Sequence, residues 1–220
     1  CTGEQGYKDA FEMSSLIASE LGLENNEIFV SSTGVIGETL PMDKISEGIK
    51  IIASEIFSTE KQEEEKMQEA AEAIMTTDTF SKTVSSTFLI NGKEVTIYGM
   101  AKGSGMIHPN MATMLGFILT DATIEKKLLQ SMLKNATNKT FNRIIVDGDT
   151  STNDMVLALA NGASSAEIIA ETHEHYIFEN ELFALLKKLS LDIVRDGEGA
   201  TKLIEITVDG AGSIEDAEKI

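Results

Sequence analysis

An Asn91-Gly92 pair joins two runs of strand-forming residues, 82–90 and 94–100. That dipeptide favours the positive φ angles of a type I′ turn, so the two runs predict an antiparallel hairpin. The second arm leads to Lys102 and a Gly103-Ser104-Gly105 elbow, then to His108-Pro109-Asn110. An apolar segment, 114–119, follows and suits a buried strand. Thr113 stands where that loop meets that strand, with the small Ala112 before it. A threonine at such a junction is ordinary strand-start packing unless something else singles it out.

The rest of the chain alternates helical and strand signals. From Tyr7, the apolar residues Ala10, Phe11, Ile17, Ala18 and Leu21 fall on one helical face, and Gly22 is placed to end that helix. Residues 28–30 predict a short buried strand ending at Thr33-Gly34. Residues 42–56 carry Met42, Ile45, Ile49, Ile52, Ala53 and Ile56 on one face and predict a core-packed helix. Residues 61–66 are a charged, solvated helical face, with Met67, Ala70, Ala71 and Ile74 as the buried stripe behind it. Thr76-Thr77-Asp78-Thr79 breaks that helix with capping and turn chemistry. Helices are expected over 123–137 and 176–195, and strands over 144–146, 155–160 and 203–208. Strands expected at Ile28, Val84, Val95, Phe117, Ile145 and Ile204 thus alternate with helical stripes, which predicts a mixed α/β fold sharing one core.

Composition narrows the classes of function. The chain has 220 residues, 42% of them apolar, enough for a substantial core of one or two domains. Thirty-six acidic against eighteen basic residues give a net charge of −18. Nucleic acid and anionic lipid both need positive charge, so neither is an expected partner. Lys102 remains available as a local basic site for a carboxylate. No apolar run reaches the length of a membrane span. The single Cys1 forms no internal disulfide, which agrees with a cytoplasmic address.

One family accounts for several of these features together. Lys-Gly-Ser-Gly-Met-Ile from Lys102, then Pro-Asn-Met-Ala-Thr-Met-Leu from Pro109, resembles the self-cleavage segment of the ornithine acetyltransferases, the glutamate N-acetyltransferases of arginine biosynthesis. The resemblance covers nearly all 220 residues. It implies cleavage between Ala112 and Thr113, with Thr113 then serving as nucleophile. Ser-Ser-Thr-Gly-Val-Ile-Gly around Thr33 and Gly34 resembles the family's oxyanion-hole segment; from the dipeptide alone this is an ordinary turn. Met-Thr-Thr-Asp-Thr and Asp-Gly-Glu-Gly-Ala-Thr-Lys resemble motifs whose first Thr and Glu contact substrate, which implies Thr76 and Glu198. Lys102 is matched to the substrate carboxylate by charge. His108 departs from the small residue often found before Pro-Asn-Met-Ala-Thr.

The resemblance further implies a layered α-β-β-α sandwich, N-acetylornithine and glutamate as substrates, and acetyl-CoA as a second donor in the bifunctional members. It implies that the two cleaved halves stay together and assemble into a homo-oligomer of processed heterodimers. Relatives extend before Cys1 and beyond Ile220, so residues 1–220 are expected to be the central part of a larger enzyme. The 112/113 bond would be a cleavage point rather than a domain boundary. The loop before it is held between a hairpin arm and a buried strand, so strain can be concentrated at Ala112-Thr113.

No cofactor or metal is expected. The acidic loop 147–154 invites a calcium reading, but Thr152 and Ala158 stand where an EF-hand needs Gly and Glu; its Asp-Gly-Asp-Thr-Ser-Thr-Asn-Asp also resembles a family segment, which implies architecture bordering the site. His173 and His175 would need a third ligand from elsewhere and read as surface residues. Two other functions compete: a self-processed aminopeptidase that passes its acyl group to water, and an inactive interaction module.

Overall fold

The computed structural model describes residues 2–57, 62–108 and 114–219. Lys82–Ile90 (β1) and Lys93–Lys102 (β2) form the expected hairpin, with Ile90 opposite Lys93. Asn91 and Gly92 take φ of 51° and 75°, the left-handed pair that a type I′ turn requires. Leu115–Thr120 (β3) lies antiparallel along the other side of β2, and its first residue faces Lys102. Thr123–Ile124 (β4) makes a separate two-stranded parallel pair described below. The chain returns to the main sheet as Met155–Ala160 (β5), parallel to β3, giving the order β1-β2-β3-β5. Glu167–Ile168 (β6) pairs with β4 in the small sheet.

Among the described residues, six α-helices accompany the sheets: Gly3–Leu21 (α1), Met42–Glu55 (α2), Glu63–Ala73 (α3), Lys126–Asn138 (α4), His173–Arg195 (α5) and Ile214–Ala217 (α6). α1 ends where predicted, with Gly22 left-handed at φ 68°. α4 begins later than its apolar spacing suggests, for two reasons. Thr123 and Ile124 are taken into the β4–β6 pair, and the Glu125 carboxylate accepts from the Lys127 and Leu128 amides as the cap. α5 begins earlier, because Thr172 caps it by accepting from the His175 amide. His173 and His175 therefore sit in its first turn. His175 Nδ1 accepts from the Glu171 amide at 3.1 Å, and its ring stacks on Tyr176.

The core lies between α5 and the sheet. Phe178, Leu182, Leu185, Leu186, Leu189 and Ile193 form one buried stripe facing β1 and β2. Phe88 on β1 meets Phe178 with ring centroids 6.1 Å apart. The approach is close enough to dictate a residue on β2. A Cβ on Gly99 would stand 2.5 Å from a Leu185 methyl and 2.9 Å from a Leu189 methyl.

Val84, Val95 and Phe117 lie in strands as expected, whereas Ile28, Ile145 and Ile204 do not. Residues 28–30 have no ladder partner among the described residues. Residues 144–146 touch the neighbouring loop at one point, the Val146 amide donating to the Ile107 carbonyl. Residues 203–208 run exposed, with Ile204 and Ile206 largely open to solvent. Apolar alternation fixes which residues favour a pleated surface; it does not supply the adjacent edge that makes a strand. α2 also differs from expectation. It packs against α1, and Ile52 and Ile56 of the expected core face are exposed. In the stripe behind the acidic run, only Ala71 is fully buried. The fold is nevertheless mixed α/β, with sheet and helices sharing one core.

The Gly99 contacts generate a direct check. Gly99→Ala should lower unfolding free energy by about 1–3 kcal/mol, the usual cost of overpacking, measured by urea denaturation. Wild-type stability would show that α5 does not press on β2 at this point.

Candidate active site

β2 ends in Lys102, and the turn after it is tied to three other parts of the chain. The Gly103 amide donates to Asp78 Oδ1 at 2.7 Å. The Ser104 hydroxyl pairs with that of Thr77 at 2.7 Å, and its carbonyl accepts from the Glu198 amide at 2.7 Å. A Cβ on Gly105 would fall 2.7 Å from the Glu198 carboxylate, so a larger residue here would push that side chain aside. The Met106 and Ile107 amides donate to Asp147 at 2.5 and 3.0 Å. Thr76, Lys102 and Glu198, each implied separately by motif, are thus brought around one turn.

Lys102 is 1% exposed, and its ammonium donates to Thr76 Oγ1 at 3.3 Å. Burial holds its pKa below the ordinary lysine value, although Asp78 and Asp154 pull the other way. Among the described residues Thr76 is its one hydrogen-bond partner, and a buried ammonium so placed is ready to receive an anion.

Beneath it lies a fully enclosed ion triad. Lys82 Nζ stands 2.6 Å from Asp78 and 2.6 Å from Asp196, and the side chains of all three are 2% exposed or less. Two carboxylates on one ammonium leave a surplus negative charge. The Thr76 and Gly103 amides offset it at Asp78, and the Thr79 amide and hydroxyl do so at Asp196. Burial alone would raise both carboxyl pKa values, but Lys82 and these donors win and hold both below the usual range.

Thr33 and Gly34 lie in a second cluster. With Ser32, Met106, Thr152 and Asn153 they border a cavity of about 350 Å³, and Asn153 Nδ2 donates to the Ser32 carbonyl at 2.9 Å. The hydrogen bonds described above do not join Thr33 or Gly34 to Thr76, Lys102 or Glu198. The two clusters meet through the 104–107 turn, whose Ser104 faces one and whose Met106 faces the other. Ala112 and Thr113 lie outside the described residues. His108 precedes them and lies beside Gly148. No group of His, Cys, Asp and Glu suited to hold a metal occurs among the described residues.

The motif resemblance gives Asp154 no chemical role but puts its loop at the border of the site, and Asp154 stands there. Its Oδ1 accepts from the Met114 amide at 2.7 Å, at the head of β3. Among the described residues its Oδ2 is buried with no hydrogen-bond partner. Burial pushes its pKa up to about 6, against the Met114 amide and the Lys102 charge.

The two kinds of carboxylate predict opposite pH effects. Asp78 and Asp196 have lowered folded-state pKa values, so their stabilisation is present above the unfolded value and lost as the solution is acidified. Asp154 has a raised value, so its ionisation costs stability as pH rises through about 6. Asp154→Asn should therefore melt above wild type near pH 8, and the gap should close below about pH 4, where the wild-type carboxyl is protonated in both states. Thermal melts across that range check this; a gap independent of pH would contradict it.

The ArgJ family model matches residues 1–220. The chain is 53% identical over 220 residues to the "Arginine biosynthesis bifunctional protein ArgJ" of Symbiobacterium thermophilum, covering 100% of this chain and 53% of that one. The protein of the same name from Bacillus subtilis is 52% identical over 221 residues, covering 100% of this chain and 52% of that one. A crystal structure of arginine biosynthesis bifunctional protein argJ from Bacillus halodurans is 43% identical, with a TM-score of 0.44 over 51% of this chain and 56% of that one. The chain spans about half the length of the curated relatives it matches. A match along all 220 residues, at identities above one half, means that the chain belongs to the ArgJ family.

Proposed function

We propose that this chain is part of a glutamate N-acetyltransferase that moves the acetyl group of N-acetylornithine to glutamate through an acetyl-Thr113 intermediate. The observation that carries the reading is the buried Lys102 ammonium, with Thr76 against it and Glu198 across the same turn, at the base of the loop that leads to Thr113. An amino-acid substrate offers a carboxylate and an amine. Lys102 suits the first and Glu198 the second.

An alcohol is a weak nucleophile at neutral pH until a base takes its proton. In the proposed course the Thr113 hydroxyl first attacks the Ala112 carbonyl. Hydrolysis of the resulting ester leaves Thr113 as a new N-terminus. Its free α-amine, with an ordinary pKa near 8, then serves as the base for transfer. The hydroxyl accepts acetyl from N-acetylornithine, and ornithine leaves. The glutamate amine next attacks the acetyl ester and regenerates the enzyme. Thr33 and Gly34 would donate to the oxyanion formed at each attack. In bifunctional members acetyl-CoA is the second acetyl donor. The complete protein would be a cytoplasmic, layered α-β-β-α sandwich whose cleaved halves remain associated in an oligomer. Among the described residues, no helix is long and apolar enough to cross a membrane.

Substitutions in the full-length enzyme test the assignment. Thr113→Ala should abolish processing and transfer together, whereas Thr113→Ser should keep part of each. Thr33→Val removes a hydroxyl and keeps the shape, and should slow transfer by about 10² to 10³. Release of acetate to water in place of N-acetylglutamate formation would favour the aminopeptidase-like course instead. Normal transfer by Thr113→Ala would sink the proposal.

A further inference from the structure

The segment that carries Thr33 and Gly34 has little of its own to hold it in place. Residues 28–40 pair with no strand among the described residues. Their backbone hydrogen bonds are short-range: Ile28 to Asn25, Glu38 to Val35 and Met42 to Leu40. Thr33 is half-buried, and Gly34, Val35 and Ile36 are exposed. Oxyanion donors are effective only when they are aimed before charge develops, so that no reorganisation is needed during reaction. A segment of this kind needs a fixed point from elsewhere in the fold.

Asn153 supplies one. Its Nδ2 donates to the Ser32 carbonyl at 2.9 Å, across 121 positions of sequence. Among the described residues this is the one hydrogen bond that joins 28–40 to a distant part of the chain. The Ser32 carbonyl and the Thr33 nitrogen belong to the same planar peptide unit. Holding that oxygen therefore fixes the peptide plane on which Thr33 is mounted.

Asn153 is itself firmly based. Its Oδ1 accepts from the Thr152 hydroxyl at 2.6 Å, which turns Nδ2 toward Ser32, and its amide donates to Ser151 Oγ at 3.2 Å. The two residues after it are fastened to the head of β3. Asp154 Oδ1 accepts from the Met114 amide at 2.7 Å, and the Met155 amide donates to the Met114 carbonyl at 3.2 Å. At the other end of the same loop, Asp147 accepts from the Met106 and Ile107 amides. One loop thus ties the 28–40 segment to the main sheet and to the turn after β2.

We propose that Asn153 is a positioning residue for acetyl transfer, holding the Ser32–Thr33 peptide so that the Thr33 hydroxyl and the Gly34 amide are aimed in advance. It acts through those two residues and does no chemistry itself. The substrate contacts assigned to Thr76, Lys102 and Glu198 lie in the other cluster, which Asn153 does not hydrogen-bond. Loss of Asn153 should therefore slow the reaction without weakening substrate binding.

The inference rests on the proposed oxyanion role of Thr33 and Gly34, and one set of full-length enzymes separates the two. kcat and both KM values, for N-acetylornithine and for glutamate, would be measured for wild type, Thr33→Val, Asn153→Asp and the double variant. Asp has the size of Asn and keeps the acceptor for Thr152, but offers Ser32 no donor. Asn153→Asp should lower kcat by about 10- to 10²-fold, with both KM values held within about twofold. The double variant should lose far less than the product of the two single losses, because both changes act on one group. Asn153→Ala, which adds no charge, should give the same split and decides the matter if Asn153→Asp does not fold. Wild-type kcat in Thr33→Val would overturn the oxyanion reading and this inference with it. A slow Thr33→Val would leave that reading standing, and three results beside it would overturn the role of Asn153 alone: an unchanged kcat in the Asn153 variants, a raised KM at unchanged kcat, or losses that multiply.

Discussion

The buried contact of Lys82 with Asp78 and Asp196 is the interaction on which the candidate site depends. It joins the turn after α3 and the adjacent start of β1 to the end of α5, 114 positions further on. Each piece carries or adjoins a site residue. Asp78 receives the amides of Thr76 and Gly103, and Gly103 follows Lys102 directly. Asp196 lies two residues before Glu198. Removing Lys82 would strand the two buried carboxylates, at a cost of about 3–5 kcal/mol. The same geometry that makes the triad costly to break fixes Thr76, Lys102 and Glu198 relative to one another.

The surroundings of the triad follow from ordinary packing. α5 lies along β1 and β2 through its leucine stripe, so its C-terminal end reaches the level where β2 turns into Gly103. Gly99 lets the helix approach, and Gly105 lets the Glu198 carboxylate lie against the turn. The antiparallel register places Leu115 opposite Lys102, so the strand that follows Thr113 begins beside the ammonium. Strand order, helix placement and two glycines together bring a cation, a hydroxyl and a carboxylate to one edge of the sheet.

Local sequence signals revealed much of this frame. Asn91-Gly92 announced the hairpin, the apolar 114–119 run announced β3, and the spacing of Phe178, Leu182, Leu185 and Leu189 announced α5. Motif resemblance pointed to Thr76, Lys102 and Glu198, which share one turn, and to Thr33 and Gly34, which line the adjacent cavity. Other features were not legible. Residues 28–30, 144–146 and 203–208 have strand-like composition without a neighbouring edge. Lys82 looked like an ordinary strand residue, because nothing in its local pattern shows that Asp196 lies 114 positions on and 2.6 Å away. Motif resemblance put the 147–154 loop beside the site, but only burial distinguishes Asp154 there from Asp147 and Asp149. Charge pairing over long separations is a property of the fold, and local periodicity does not encode it.

The central claim is that Thr113 carries the acetyl group between two amino-acid substrates. Full-length enzyme would be mixed with N-acetylornithine without glutamate, quenched in acid, digested and mapped by mass spectrometry. The account predicts one added acetyl group on the peptide that begins at Thr113, lost when glutamate is supplied before the quench. Transfer that proceeds with the acetyl group on another residue, or with no acetyl-enzyme at all, would contradict it.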